Sequence, residues 1–227
     1  MFSPSTRARV FSACAVLVVA LAPAILAQAP AAGEHHQSRQ TSEPYTGDLS
    51  IFEYKDRDQK LQIERVMDIL RISAGKTVAD IGAGSGWFSV RAARRVTPAG
   101  LVYAVDINPE AIRYIEKRAS RERMSNVHTI LSRSDDPMLS ADSVDAVLLL
   151  KTYHEVADPV ALLKNLRKSL RANARLGIID RNGNGADHGV NRDVVIREAR
   201  EAGFKLLEEY DFVKADREDY FLVFTPP

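Results

Sequence analysis

Three patterns of apolar and polar positions run along the 227-residue chain. The first is a short continuous apolar run between turn residues, which marks a strand buried on both faces of a parallel sheet. Residues 77–81 read this way, and 101–105, 127–131, most of 143–150 and 176–179 read as further strands. The second is the helical stripe. Ile63, Val66, Met67 and Leu70 share one face of a helix predicted over 59–71, with Asp58 as its cap. Further helices are predicted over 87–96, 109–124, 158–170 and 191–202. Pro109 stands at a first turn, Asp158 and Asn191 at caps, and Gly203 at a stop. The third pattern is a closing strand pair, 205–213 and 220–224, around polar residues 214–219. Strands alternating with helices predict an α/β fold with a doubly wound sheet.

The first strand ends in Asp80-Ile81-Gly82-Ala83-Gly84-Ser85-Gly86-Trp87. Three glycines in five residues permit a sharp turn with positive φ and let a ligand lie against bare backbone. The following helix N-terminus offers N–H groups to a carboxylate or phosphate. A dinucleotide site needs G-x-G-x-x-G, whose third glycine lets helix and strand pack closely. Here the spacing is G-x-G-x-G, and Trp87 occupies the position where that glycine is required. The next strand ends in Asp106, twenty residues after Gly86, where a carboxylate can accept both ribose hydroxyls.

Asp80 to Gly86, with Asp106, resembles motif I and the second-strand acid of the class I S-adenosylmethionine-dependent methyltransferases. The resemblance covers about residues 51–225. It implies a Rossmann-like seven-stranded sheet in the order 3-2-1-4-5-7-6 with strand 7 antiparallel. It implies S-adenosyl-L-methionine on Asp80, Gly82, Ala83, Gly84, Ser85, Gly86 and Asp106, and Ile107 against the adenine. Asp135 or Asp136 would accept from the adenine amino group. Phe52, Tyr54 and Arg57, in the segment before the sheet, would fold over the methionine end. The activity implied is transfer of a methyl group by in-line displacement to an unidentified small-molecule acceptor. An NAD-dependent oxidoreductase and a non-catalytic cofactor-binding module are the alternatives.

Lys151-Thr152-Tyr153-His154-Glu155 follows the fourth strand, at the carboxyl end where open α/β sheets bind ligands. His154 is the candidate general base and Tyr153 the group that orients the acceptor. Asp180 and His188, on the loop after the fifth strand, are acceptor-binding candidates on the same rim. Arg113, Lys117, Arg118, Arg121 and Arg123 decorate the 109–124 helix and read as a solvated face.

Charge and cysteine count narrow the partners. The formal net charge is +1, from 31 basic and 30 acidic residues, with no basic stripe to suggest nucleic acid. The one cysteine, Cys14, lies in an N-terminal segment that reads as a secretory signal. Arg7 and Arg9 precede an apolar run over 10–21, and alanines follow to a cleavage point near Ala27. The domain organisation predicted is a signal peptide over 1–27, a disordered spacer over 28–50 and one domain over 51–227. Export to the periplasm or medium is expected, the alternative being an uncleaved membrane anchor over 10–32. His35-His36 in the spacer reads as solvated, and no metal site is expected. The sequence leaves the oligomeric state open.

Overall fold

The computed structural model describes residues 1, 2, 39, 41, 45–97, 99–184 and 187–227. The expected signal segment beyond Phe2, His35 and His36 lie outside the described residues. The chain divides into a unit over residues 1–35 and a unit over residues 36–227, and the sheet lies in the second. No helix among the described residues is long and apolar enough to cross a membrane.

Seven strands form one sheet: β1 (Thr77–Ile81), β2 (Leu101–Asp106), β3 (Val127–Leu131), β4 (Val144–Leu150), β5 (Leu170–Asp180), β6 (Lys205–Tyr210) and β7 (Tyr220–Thr225). Their order is β3-β2-β1-β4-β5-β7-β6. β7 runs antiparallel to both neighbours, and the other pairings are parallel. The order reverses between β1 and β4, and a crevice opens at the carboxyl ends of strands at such a switch point.

The helices are α1 (Arg57–Leu61), α2 (Ile63–Ile69), α3 (Trp87–Val96), α4 (Pro109–Glu122), α5 (Pro159–Ser169) and α6 (Arg192–Glu201). Asn108, Asp158 and Asn191 cap α4, α5 and α6 through their side chains, satisfying backbone N–H groups that a helix start leaves free. One apolar layer joins α1, α2 and α3 to the sheet through Leu61, Met67, Phe88 and Val78. The layer on the opposite face joins α5 and α6 through Leu163, Leu166, Val195 and Ala199.

Three elements depart from the sequence expectation. The single helix over 59–71 is two, divided at Gln62 with φ 50°. Leu61 and Ile63 are both buried, yet two positions along one helix stand about 200° apart. The left-handed residue between them lets both reach the core. Asp58 is therefore inside α1 and pairs with Arg91 instead of capping. β5 begins directly after α5, six residues earlier than its apolar run. β6 stops at Tyr210, and Phe212–Asp216 is a 3-10 helix. The spacer boundary set at residue 50 falls within another 3-10 helix, Leu49–Glu53, whose Leu49 is buried.

Candidate active site

The glycine loop turns from β1 into α3 with φ of 70°, 54° and 69° at Gly82, Gly84 and Gly86. These are left-handed values that L side chains resist. At Gly82 a Cβ would also meet Thr152 Cγ2 at 2.2 Å, so the close approach of the β4 rim excludes any side chain there. No side chain caps α3 at Gly86. Its first N–H groups are left to whatever lies beyond the loop.

Asp106 ends β2 and closes the loop from the side. Its Oδ2 accepts from Gly84 N at 2.8 Å and its Oδ1 from Asn108 N at 2.8 Å. Burial pushes this carboxyl up, and the backbone N–H groups pull it back. Asp80 ends β1 beneath the loop and accepts from Ser89 Oγ at 2.6 Å. Burial raises its pKa to about 7; Ser89 opposes this, Asp106 adds to it and Arg57 opposes it.

Asp80, Gly82, Ala83, Gly84, Ser85 and Asp106 line a cavity of about 360 Å³, whereas Gly86, expected among them, packs against Ile115 instead. Ile107, 48% exposed, lines it beside Asp106, and Phe52 and Arg57 line it from the segment before the sheet. That segment is pinned as a cover. Glu53 accepts from Tyr114 Oη at 2.9 Å and pairs with Arg118 at 2.8 Å. Tyr54 Oη donates to Asp216. Arg57 lies 4.3 Å over the Trp87 ring. Arg118 is not on a solvated face. It is 6% exposed, and its Nη1 also donates to Ser85 O at 3.1 Å, tying the glycine loop to the cover.

Two polar atoms at the cavity are buried without a hydrogen-bond partner among the described residues, Ser85 Oγ and Arg57 Nε. Orphaned buried donors of this kind are rare and ask for a partner. A carboxylate for ribose hydroxyls, bare glycine backbone and an exposed aliphatic for a base surround them. This donor set fits S-adenosyl-L-methionine, the cofactor that motif I implied.

The loop after β3 differs from expectation. Asp135 and Asp136 do not line the cavity; Ser132, Arg133, Ser134 and Pro137 do. Asp136 Oδ1 accepts from Met138 N at 2.8 Å, and its carbonyl accepts from Arg133 N at 2.9 Å. Asp135 O accepts from Asn165 Nδ2 at 2.8 Å. Asp136 is spent on the turn around Pro137, and Asp135 stands outside the cavity lining.

On the opposite rim, Thr152 Oγ1 donates to Gly82 O at 3.3 Å. Tyr153 turns away from the cavity into the layer under α6. It is fully buried, its Oη donates to Glu198 Oε2 at 2.8 Å, and Arg39 stacks 4.9 Å from its ring centre. Burial first, and then Glu198, raise its pKa well above the usual phenol value. The orienting role assigned to Tyr153 has no geometric support, because its hydroxyl faces Glu198.

His154 is 5% exposed, and its Nδ1 lies 2.8 Å from Asp180 Oδ1. Asp180, wholly buried at the end of β5, also accepts from the backbone of His154 at 3.1 Å and of Arg181 at 2.9 Å. A carboxylate only accepts, so Nδ1 carries the proton that Asp180 receives, and Nε2 is the ring nitrogen left for another partner. Nε2 stands 3.8 Å from Glu155 Oε1. Glu155 lines the cavity, whereas His154 stands behind it. Burial raises the Glu155 pKa to about 7, with His154 opposing and Asp106 and Asp180 adding.

The comparisons with known proteins agree with this geometry. Residues 72–213 match the family model described as a methyltransferase domain. The chain belongs to this methyltransferase family. The chain is 36% identical over 96 residues to tRNA (guanine(37)-N(1))-methyltransferase Trm5b of Pyrococcus abyssi, covering 42% of this chain and 28% of that protein. It is 28% identical over 114 residues to nocamycin O-methyltransferase of Saccharothrix syringae, covering 50% and 41% respectively. The chain thus spans less than half the length of these curated relatives. The structure of a SAM-dependent methyltransferase from Aquifex aeolicus shares the fold, with TM-score 0.71 and 21% identity over 78% of this chain and 95% of that one.

Proposed function

We propose that this methyltransferase uses S-adenosyl-L-methionine to methylate an oxygen atom of a small molecule. The observation that carries the cofactor is the Asp106 carboxylate bonded to Gly84 N–H beside a partnerless buried Ser85 hydroxyl. When bound, the cofactor would supply an electrophilic sulfonium methyl group, which passes in line to the acceptor oxygen as the S–CH3 bond breaks and S-adenosyl-L-homocysteine leaves. Asp106 would hold the ribose, the bare backbone at Gly84 would let the chain of the cofactor pass, and Asp80 would take the ammonium end. Phe52 and the Glu53–Arg118 pair exclude water, and positioning in such a closed site supplies much of the rate. Glu155, which lines the cavity with His154 behind it, would meet the reacting oxygen.

The O-methyltransferase activity named for the Saccharothrix relative supports an oxygen acceptor. A formal charge near zero and the absence of a basic stripe in the sequence favour a small molecule over RNA. The test is release of S-adenosyl-L-homocysteine when the protein meets the low-molecular-mass fraction or the RNA fraction of a cell extract. Turnover with the first supports the reading; turnover with RNA alone contradicts it. We also propose export, on the leader over 1–27. N-terminal sequencing of chain recovered from outside the cytoplasm should begin near Gln28, and an intact Met1 there contradicts cleavage.

A further inference from the structure

We infer that His154, Glu155 and His188 bind a divalent transition cation at the acceptor end of the cavity. The inference rests on the proposed reading for its purpose, which is to hold the acceptor oxygen. It does not rest on that reading for the binding itself. It departs from the sequence expectation of no metal site.

One ligand atom from each of the three residues lies within 4.8 Å of the others. Two imidazoles and one carboxylate are a donor set of catalytic zinc and of related first-row ions, with further positions left for water or substrate. Ligand atoms of a tetrahedral zinc site stand about 3.3 Å apart, so binding draws this group in by about 1.5 Å at most.

The surroundings have the form that metal histidines need. Both Asp180 oxygens lie within 2.9 Å of His154 Nδ1. A buried carboxylate on one ring nitrogen fixes the tautomer and aims the other nitrogen at the metal. That nitrogen, Nε2, faces Glu155 Oε1. The His188 ring meets the His154 ring edge-on at 5.8 Å between centres.

His188 belongs to the loop between β5 and α6, yet it is held. Its carbonyl accepts from Arg181 Nε at 2.8 Å, and Val190 N donates to Arg181 O at 2.8 Å. Its own backbone is left-handed, with φ 60°, which a non-glycine residue adopts at a cost. Glu155 is also the member of the three that lines the cofactor cavity. A cation held there would border the cavity through Glu155, in front of the Asp180–His154 pair.

The test uses the full chain freed of metal with a chelator. Zinc is titrated in competition with a chromophoric chelator, and cobalt(II) reports the ligand geometry through its visible bands. The expectation is one tight site, cobalt bands of a low-coordinate nitrogen–oxygen site, and at least 100-fold weaker zinc binding in His188→Ala. Asp180→Asn, which keeps the shape but weakens the hold on His154, should lose 10- to 100-fold. A His35→Ala/His36→Ala double variant should bind as the parent does. Loss of the site in that double variant, or unchanged affinity in His188→Ala, overturns the inference. S-adenosyl-L-homocysteine affinity of His188→Ala, measured in parallel, should stay at the parent level. It reports the cofactor reading separately from the metal site, and shows that this exposed-loop variant is folded.

Discussion

In the cofactor half of the cavity, the groups offered to a ligand are backbone N–H groups and carboxylates at the ends of two neighbouring strands. On the rim opposite, they are side chains drawn from the ends of β4 and β5 and from the loop before α6. The first half spans Asp80 to Asp106, and its geometry follows from strand length, glycine spacing and the parallel register of β1 and β2. The second needs Asp180, 26 residues away, to orient His154, and His188 beyond that to face it. One half is a property of local chain geometry. The other is assembled by packing, and its chemistry can change with few substitutions while the cofactor half stays as it is.

The comparison can be broken first at the glycine loop. Gly82→Ala combines positive φ with a Cβ 2.2 Å from Thr152 Cγ2. Calorimetry should show cofactor affinity lowered by more than about 100-fold, because the strain and the displaced rim act together.

Next in size is the proton balance at Asp80. Folding raises its pKa from 3.8 to about 7, chiefly through burial. The folded chain therefore binds more protons than the unfolded chain between those values. The stability present below pH 3.8 is lost as pH rises and is gone above about pH 7. The linked loss approaches about 4 kcal/mol. Urea unfolding of Asp80→Asn should lack this component, leaving the variant the more stable of the two at pH 8. An equal pH slope in both would refute the assignment.

A smaller effect is expected at the cover. Arg118→Met removes the partner of Glu53 and the donor to Ser85 O. It should cost about 2–3 kcal/mol in thermal unfolding, since the remaining carboxylates are only partly exposed. Cofactor affinity should fall by about tenfold as the Leu49–Glu53 segment loosens. The smallest effects sharpen the contrast on the rim. Tyr153→Phe should lose about 1 kcal/mol of stability and leave turnover unchanged, because its hydroxyl serves Glu198. Asp135→Ala should change cofactor affinity by less than about twofold, since only its backbone carbonyl is engaged.

Legibility in the sequence follows the same division. The buried strands carry their own signature in apolar runs, and Asn108, Asp158 and Asn191 sit where helix caps must. The glycine spacing and Asp106 identify the cofactor half because each acts through backbone close to it in sequence. Arg118 was hidden among four other basic residues on an amphipathic helix. Its burial is created by Glu53, 65 residues upstream, and no periodicity reports that. Asp135 and Asp136 stand in the right loop, but the turn around Pro137 consumes the Asp136 carboxylate and neither residue lines the cavity. His154 was legible as a functional candidate from its place after β4. Tyr153, its neighbour, points the opposite way because the 3-10 turn Tyr153–Glu155 rotates successive side chains by about 120°.

The central claim is that Asp106 and the glycine loop form an S-adenosyl-L-methionine site. Calorimetric titration of the parent chain and Asp106→Ala with S-adenosyl-L-methionine, S-adenosyl-L-homocysteine and NAD tests it most directly. The account predicts micromolar binding of the first two, none of NAD, and loss of both in the variant. Binding of NAD alone, or undiminished binding in Asp106→Ala, would contradict it.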